Sequence, residues 1–113
     1  MKSANILKEI TYNDQKPAIT VLFETATSKE IRIVFKKDQH MKKHQTAFPI
    51  TVELVDGELD FGAEDMVHHL VKGDILSLDG DVPHDLAAKS DCIVRLTLSK
   101  SDSVQRVKDV IHS

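Results

Sequence analysis

Histidine has the widest chemical reach of any side chain in this sequence. Its imidazole binds transition metals, exchanges protons near neutral pH, and gives or accepts a hydrogen bond. Six histidines occur among the 113 residues. His40 and His44 have the same parity, so a regular strand turns both to one side, and a bulge between them would undo that. His68 and His69 are adjacent, so at most one can face inwards. His84 follows Pro83 and stands among Asp79, Asp81 and Asp85. An acid beside an imidazole orients it and raises its pKa, as a general base requires. The plainer account is that turn aspartates cap their own backbone. For His40, His68 and His69 the plainer account is an exposed or hydrogen-bonded ring.

Other reactive groups narrow the field. The single cysteine, Cys92, cannot form an internal disulfide. It lies in an alternating apolar run, which suits a small buried hydrophobe better than a thiolate nucleophile. There is no glycine-rich phosphate loop, nucleophile elbow or paired zinc-type cysteine motif. The sequence therefore leaves any catalytic residue unknown. The net charge is -3 with mixed signs. The basic pairs Lys36-Lys37 and Lys42-Lys43 suit solvated strand ends better than a patch that tracks phosphates, so no nucleic-acid partner is expected. No apolar run approaches the ~20 residues of a membrane span. The N-terminal residues lead into no apolar signal core, so a cytoplasmic location and no membrane partner are expected.

The elements that must position these side chains are strands. Ile19, Val21 and Phe23 alternate with Thr20 and Leu22, and Ile31, Ile33 and Phe35 alternate with Arg32 and Val34. Ile50, Val52 and Leu54 repeat the pattern, followed by Leu59 and Phe61, and later by Cys92, Val94, Leu96 and Leu98. Period two buries one face of a pleated strand. Glycines 57, 62, 73 and 80 all fall at breaks between these runs. Asp56-Gly57 predicts a hairpin. Glu53 and Glu58 on either side of it alternate outwards, as a solvated face. Short strands at this spacing predict an all-β sandwich or barrel. One domain spans residues 1–113, with a barrel core over about 17–98. A short C-terminal helix is expected over about 102–112: Ser101 or Asp102 caps it, and Val104, Val107 and Ile111 form its apolar stripe. Residues 5–10 suit either a short helix or a strand.

In order and spacing, His44, Gly57, Gly73 and His84 resemble the two motifs of the cupin superfamily. The first motif runs from Gly through His-x-His and Glu to a closing Gly; the second runs from Gly through Pro-x-Gly to His. His44 takes the first histidine place and Gly57 closes that motif. Gly73 opens the second and His84, in Val82-Pro83-His84, ends it. The resemblance covers about residues 30–98. It implies a small antiparallel β-barrel of the cupin, double-stranded β-helix or jelly-roll type.

Metal-binding cupins hold one divalent ion with three histidines and a glutamate. Here Thr46 stands at the second histidine place and Ile50 at the glutamate place. Asp38, Asp79 and Asp81 replace the opening glycine, the proline and the inner glycine. Any divalent metal (Fe, Mn, Ni or Zn) would therefore be weakly held, by His44 and His84 with His40 as the available third ligand. Three functions follow. The first is a binding module, with a small molecule in a cavity lined by His44, Thr46, Phe48, Ile50, Leu76 and His84. The second is a metal-dependent enzyme of dioxygenase or isomerase type. The third is a structural protein with a collapsed apolar interior. Edge strands that need cover, and the apolar stripe of the terminal helix, predict a homodimer.

Overall fold

The computed structural model describes residues 1–100. The expected C-terminal helix lies outside them. Among the described residues nine strands follow one another: β1 (Ala18–Glu24), β2 (Ser28–Phe35), β3 (His40–His44), β4 (Ile50–Asp56), β5 (Glu58–Ala63), β6 (Met66–Val71), β7 (Ile75–Leu78), β8 (His84–Ala88) and β9 (Cys92–Ser99). They form two antiparallel sheets, one ordered β1-β2-β9-β4-β7 and the other β3-β8-β5-β6. This is an all-β jelly-roll barrel. The alternating runs of β2, β4, β5 and β9 place their apolar residues between the sheets, whereas Ile19 and Val21 of β1 are exposed. Phe35, Val52, Leu54, Leu59, Phe61, Cys92 and Val94 are the large side chains buried most completely.

Asp56-Gly57 is a turn, as the sequence predicts, but it does not make a hairpin. β4 pairs with β7 and β9, whereas β5 pairs with β6 and β8. The chain therefore changes sheets at Gly57. A Cβ there would lie 2.4 Å from the Asp91 carbonyl oxygen and 2.6 Å from the Cys92 Cβ, and φ is +95°. Only glycine fits both the backbone and the space. The two-residue hairpin is instead Glu64-Asp65, between β5 and β6, with φ of 55° and 61°. Asp65 tolerates that region, whereas Glu64 is not among the side chains such a turn favours.

Residues 5–10 are neither helix nor strand. They lie against the outer face of the five-stranded sheet, pinned by Arg32. Its guanidinium donates to the carbonyl oxygens of Ile6 (3.1 Å), Lys8 (2.8 Å) and Glu9 (3.3 Å). Arg32 is therefore buried among backbone acceptors rather than solvated. Further along the same face Arg95 donates to Glu53 at 2.8 Å and to Glu30 at 3.1 Å, lacing β4, β9 and β2 together. Glu53 is thus an ion-pair partner and not simply a solvated side chain.

Candidate functional site

The inner face of the four-stranded sheet carries the two motif histidines side by side. β8 alternates strictly, with His84, Leu86 and Ala88 inwards. β3 pairs with it through His40↔Ala87 and Met41↔Leu86, then through His44↔His84. The register shifts between Met41 and His44. One extra residue there reverses the parity of the strand, so Met41 and His44 both follow inward-facing partners. His40 lies opposite Ala87 and lines an outer depression with Lys16 and Gln39. The regular-strand expectation for His40 fails at that bulge: it is not brought to His44 and His84.

The His44 and His84 rings have centres 4.4 Å apart with planes tilted by 57°. Phe61 stacks on the other side of His84 at 5.7 Å and 12°. Nδ1 of His44 lies 2.8 Å from the Lys42 carbonyl oxygen, and Nδ1 of His84 lies 2.9 Å from that of Val82. A carbonyl only accepts, so each Nδ1 must carry the hydrogen. In the neutral ring this leaves Nε2 as a bare lone pair. Among the described residues no buried side-chain nitrogen or oxygen lacks a partner. Nε2 of His84 has no such partner, so it opens to water at the mouth. Burial holds the His84 pKa below the ordinary histidine value, and the neighbouring His44 acts in the same direction. In their neutral rings the two histidines thus present electron-pair donors on an apolar floor.

That floor is nearly filled. The cavity below the rings measures ≈ 20 Å³ and is lined by Met41, Ile50, Phe61, Leu86 and Val94 together with the two histidines. This is room for about one water molecule. A drug-sized ligand needs some ~300 Å³ or more. Of the residues expected to line a cavity, His44, Ile50 and His84 do so. Thr46, Phe48 and Leu76 stand apart from it. The Thr46 hydroxyl donates to the Phe48 carbonyl at 2.9 Å, and the Thr46 carbonyl accepts from the Asp81 amide at 2.7 Å. Both contacts close the rim loops on each other. Leu76 packs into the core from β7. Met41 and Phe61 are among the lining residues to which neither motif assigns a role. Phe61 is visible in the alternation of β5, whereas Met41 needs the bulge.

A metal held in the family manner does not fit. Thr46 turns its hydroxyl into its own loop, and Ile50 puts hydrocarbon at the glutamate place. Among the described residues no three His, Cys, Asp or Glu side chains are grouped to hold an ion. Asp79, Asp81 and Asp85 provide no hydrogen bond to the His84 ring. His69 faces outwards to Asp60 at 2.8 Å, which raises its pKa. His68 lies opposite Phe61 and is exposed. Cys92 is sealed in the core, where burial pushes its thiol up to about 12. Among the described residues no helix is long and apolar enough to cross a membrane.

Two substitutions that break the motifs keep their backbone shape. Asp38 and Asp81 stand where the resemblance calls for glycine, and their φ values are 74° and 64°. That region favours glycine, and aspartate is among the side chains that tolerate it. The chain retains the turns while losing the residues that usually make them.

Neither a family sequence model nor a curated protein matches the chain. Solved structures do. An RmlC-like cupin from Desulfovibrio desulfuricans superposes with a TM-score of 0.81 at 25% identity, over 88% of this chain and 96% of its own. An RmlC-like cupin from Shewanella frigidimarina gives 0.75 at 19% identity, over 87% and 88%. A conserved protein with a double-stranded β-helix domain from Klebsiella pneumoniae gives 0.76 at 17%, over 88% and 89%. With its two antiparallel sheets and these neighbours, the chain is a member of the cupin superfamily.

Proposed function

We propose that this cupin is a binding module that holds a small electron-pair-accepting ligand at the mouth of the barrel. The Nε2 atoms of His44 and His84 are its points of contact. One observation carries this reading: both Nδ1 atoms are committed to backbone carbonyls, which leaves the Nε2 lone pairs free on two rings whose centres are 4.4 Å apart. A hydrogen-bond donor or a metal ion satisfies such a pair. An organic ligand within the barrel is a poorer fit, because the interior is filled. A dioxygenase or isomerase built on a four-ligand divalent metal lacks half of its ligands.

The filled cavity of ≈ 20 Å³ favours a second reading, a barrel with a purely structural role. Imidazole ¹⁵N spectra separate the two. N-methylurea, ethylene glycol, Zn(II) and Ag(I) are each titrated singly into labelled protein. Binding predicts that at least one of them moves the Nε2 signals of His44 and His84 together, and that His44→Ala removes the response of His84. If none moves them at millimolar concentration, the module reading is wrong and the structural one stands.

A further inference from the structure

We propose that Arg32 and the residues around it form a second binding site, on the outer face of the five-stranded sheet, for a small organic anion with one carboxylate. This site is separate from the histidine pair and does not rest on it.

The buried guanidinium carries the argument. Arg32 is only 6% exposed, and a buried charge is ordinarily paired with an opposite one. Its partners here are the backbone carbonyl oxygens of Ile6, Lys8 and Glu9. Carbonyls are dipoles, so they accept the hydrogen bonds and leave the unit charge uncancelled. The pairing of β2 with β9 also sets Arg32 directly opposite Arg95, and like charges in that position repel. Glu30 and Glu53, on the same face, are both bound to Arg95. The surplus positive charge therefore sits on Arg32.

The donors of Arg32 are not used up. A guanidinium carries five N–H groups. Nη1 makes two of the three bonds and Nη2 makes one, so Nε–H and one Nη2–H have no acceptor among the described residues. No sealed side-chain nitrogen lacks a partner there, so Nε meets solvent. Arg32 forms part of the wall of a depression of ≈ 350 Å³, with Asn5, Lys8, Glu9, Thr20 and Leu22. A small organic molecule fits that volume.

The wall defines the class of ligand. Arg32 and Lys8 are cations, and the Thr20 hydroxyl adds a donor. Asn5 spends its Oδ1 on the Leu7 amide at 2.9 Å, which leaves its NH₂ to donate. Glu9 is the one carboxylate. Two cations against one carboxylate leave a single positive charge. A monocarboxylate cancels it, whereas a phosphate dianion exceeds it. The planar guanidinium also matches the two oxygens of a carboxylate. Val21 and Leu22, at the bulge in β1, offer apolar contact to the body of such a ligand.

The test is a titration of ¹⁵N-labelled protein with sodium benzoate at neutral pH and low salt, with inorganic phosphate and methylammonium as the other probes. The expected result is a saturable shift of the Arg32 Nε–H signal at millimolar benzoate, while the imidazoles of His44 and His84 stay in place. Phosphate should bind more weakly, and methylammonium should leave the signal where it is. Lys8→Met should weaken benzoate about threefold and Glu9→Gln should tighten it by a similar factor. Both side chains are exposed, so neither change threatens the fold. Arg32→Lys keeps the charge and loses the fork, so it should cost about tenfold or more in affinity. If that variant fails to fold, the opposite effects at Lys8 and Glu9 decide the matter alone. An Arg32 signal that ignores benzoate at tens of millimolar overturns the proposal. So does benzoate binding that is indifferent to both Lys8→Met and Glu9→Gln. Phosphate bound as tightly as benzoate overturns the monocarboxylate assignment.

Discussion

His84 should set the acid limit of the stability of this barrel, and His84→Phe should remove that limit. The ring is only 4% exposed and lies between His44 and Phe61. Burial lowers its folded pKa below the ordinary value of 6.5, with His44 assisting. The unfolded chain therefore takes up a proton at a higher pH than the folded one. Stability from His84 is present above 6.5, and it falls with pH until the folded pKa is reached. Within that window each pH unit costs at most about 1.4 kcal/mol, the value of one proton. His69 acts with the opposite sign and on the other side of 6.5. Asp60 raises its folded pKa, so its support is complete at low pH and fades only as pH rises through that raised value. Carboxylates paired in the fold, such as Asp60, have lowered values and intervene only in more acid solution. Urea melts between pH 5 and 8 measure the slope. In His84→Phe the aromatic stack on Phe61 is kept and the titrating group is gone, so the loss of stability between pH 6.5 and about 5 should disappear, leaving only the His69 slope above 6.5. An acid limb that survives unchanged in His84→Phe would refute the burial argument.

Three further outcomes follow from the same coordinates. Gly57→Ala forces a Cβ to within 2.4 Å of the Asp91 oxygen at φ +95°, so it should cost more than about 1 kcal/mol in a denaturant melt, and a neutral result would mean the sheet crossover is plastic. Replacing Glu64 with Asn and Asp65 with Gly, the pair a two-residue turn of positive φ favours, should stabilise by about 1 kcal/mol; an unchanged or lower midpoint contradicts the strain assigned there. β1 is an unpaired edge with Ile19 and Val21 exposed and no charge between Ala18 and Phe23, so we expect a second copy to cover it. Light scattering at micromolar concentration should then give a dimer mass and Ile19→Lys a monomer mass, whereas a monomeric native chain excludes this.

What the sequence reveals follows from where each pattern gets its cause. The core strands are legible because burial acts on every second residue: Ile50, Val52 and Leu54 are inside for the same reason that they alternate. Gly57 is legible as a turn, because positive φ is a local demand. Its role as a sheet crossover is not, because that depends on β4 pairing with β9, far along the chain. The site is least legible where it matters most. In His40–His44, the sequence HMKKH contains no apolar alternation that could declare its register. The bulge that turns Met41 and His44 inwards is set by β8, whose own alternation is strict.

The same bulge explains why a chain that has lost two of the family's ligands still brings two imidazoles together. The His44–His84 contact depends on backbone register and on two carbonyl anchors, Lys42 and Val82, and not on a metal pulling the rings into place. Asp38 and Asp81 hold the flanking turns at positive φ without glycine. The scaffold of the site is therefore intact and prearranged, while Thr46 and Ile50 change what it can hold. Restoring the family residues tests that separation directly. Thr46→His with Ile50→Glu should create a Zn(II) or Mn(II) site only if Thr46 can leave its bond to the Phe48 carbonyl and a carboxylate can replace hydrocarbon in a cavity of ≈ 20 Å³. Burying that charge without a metal is strongly unfavourable. The double variant should therefore melt well below the native chain in chelator and recover when the ion is added. Equal melting with and without the ion would show that the lost ligand places no longer converge on His44 and His84.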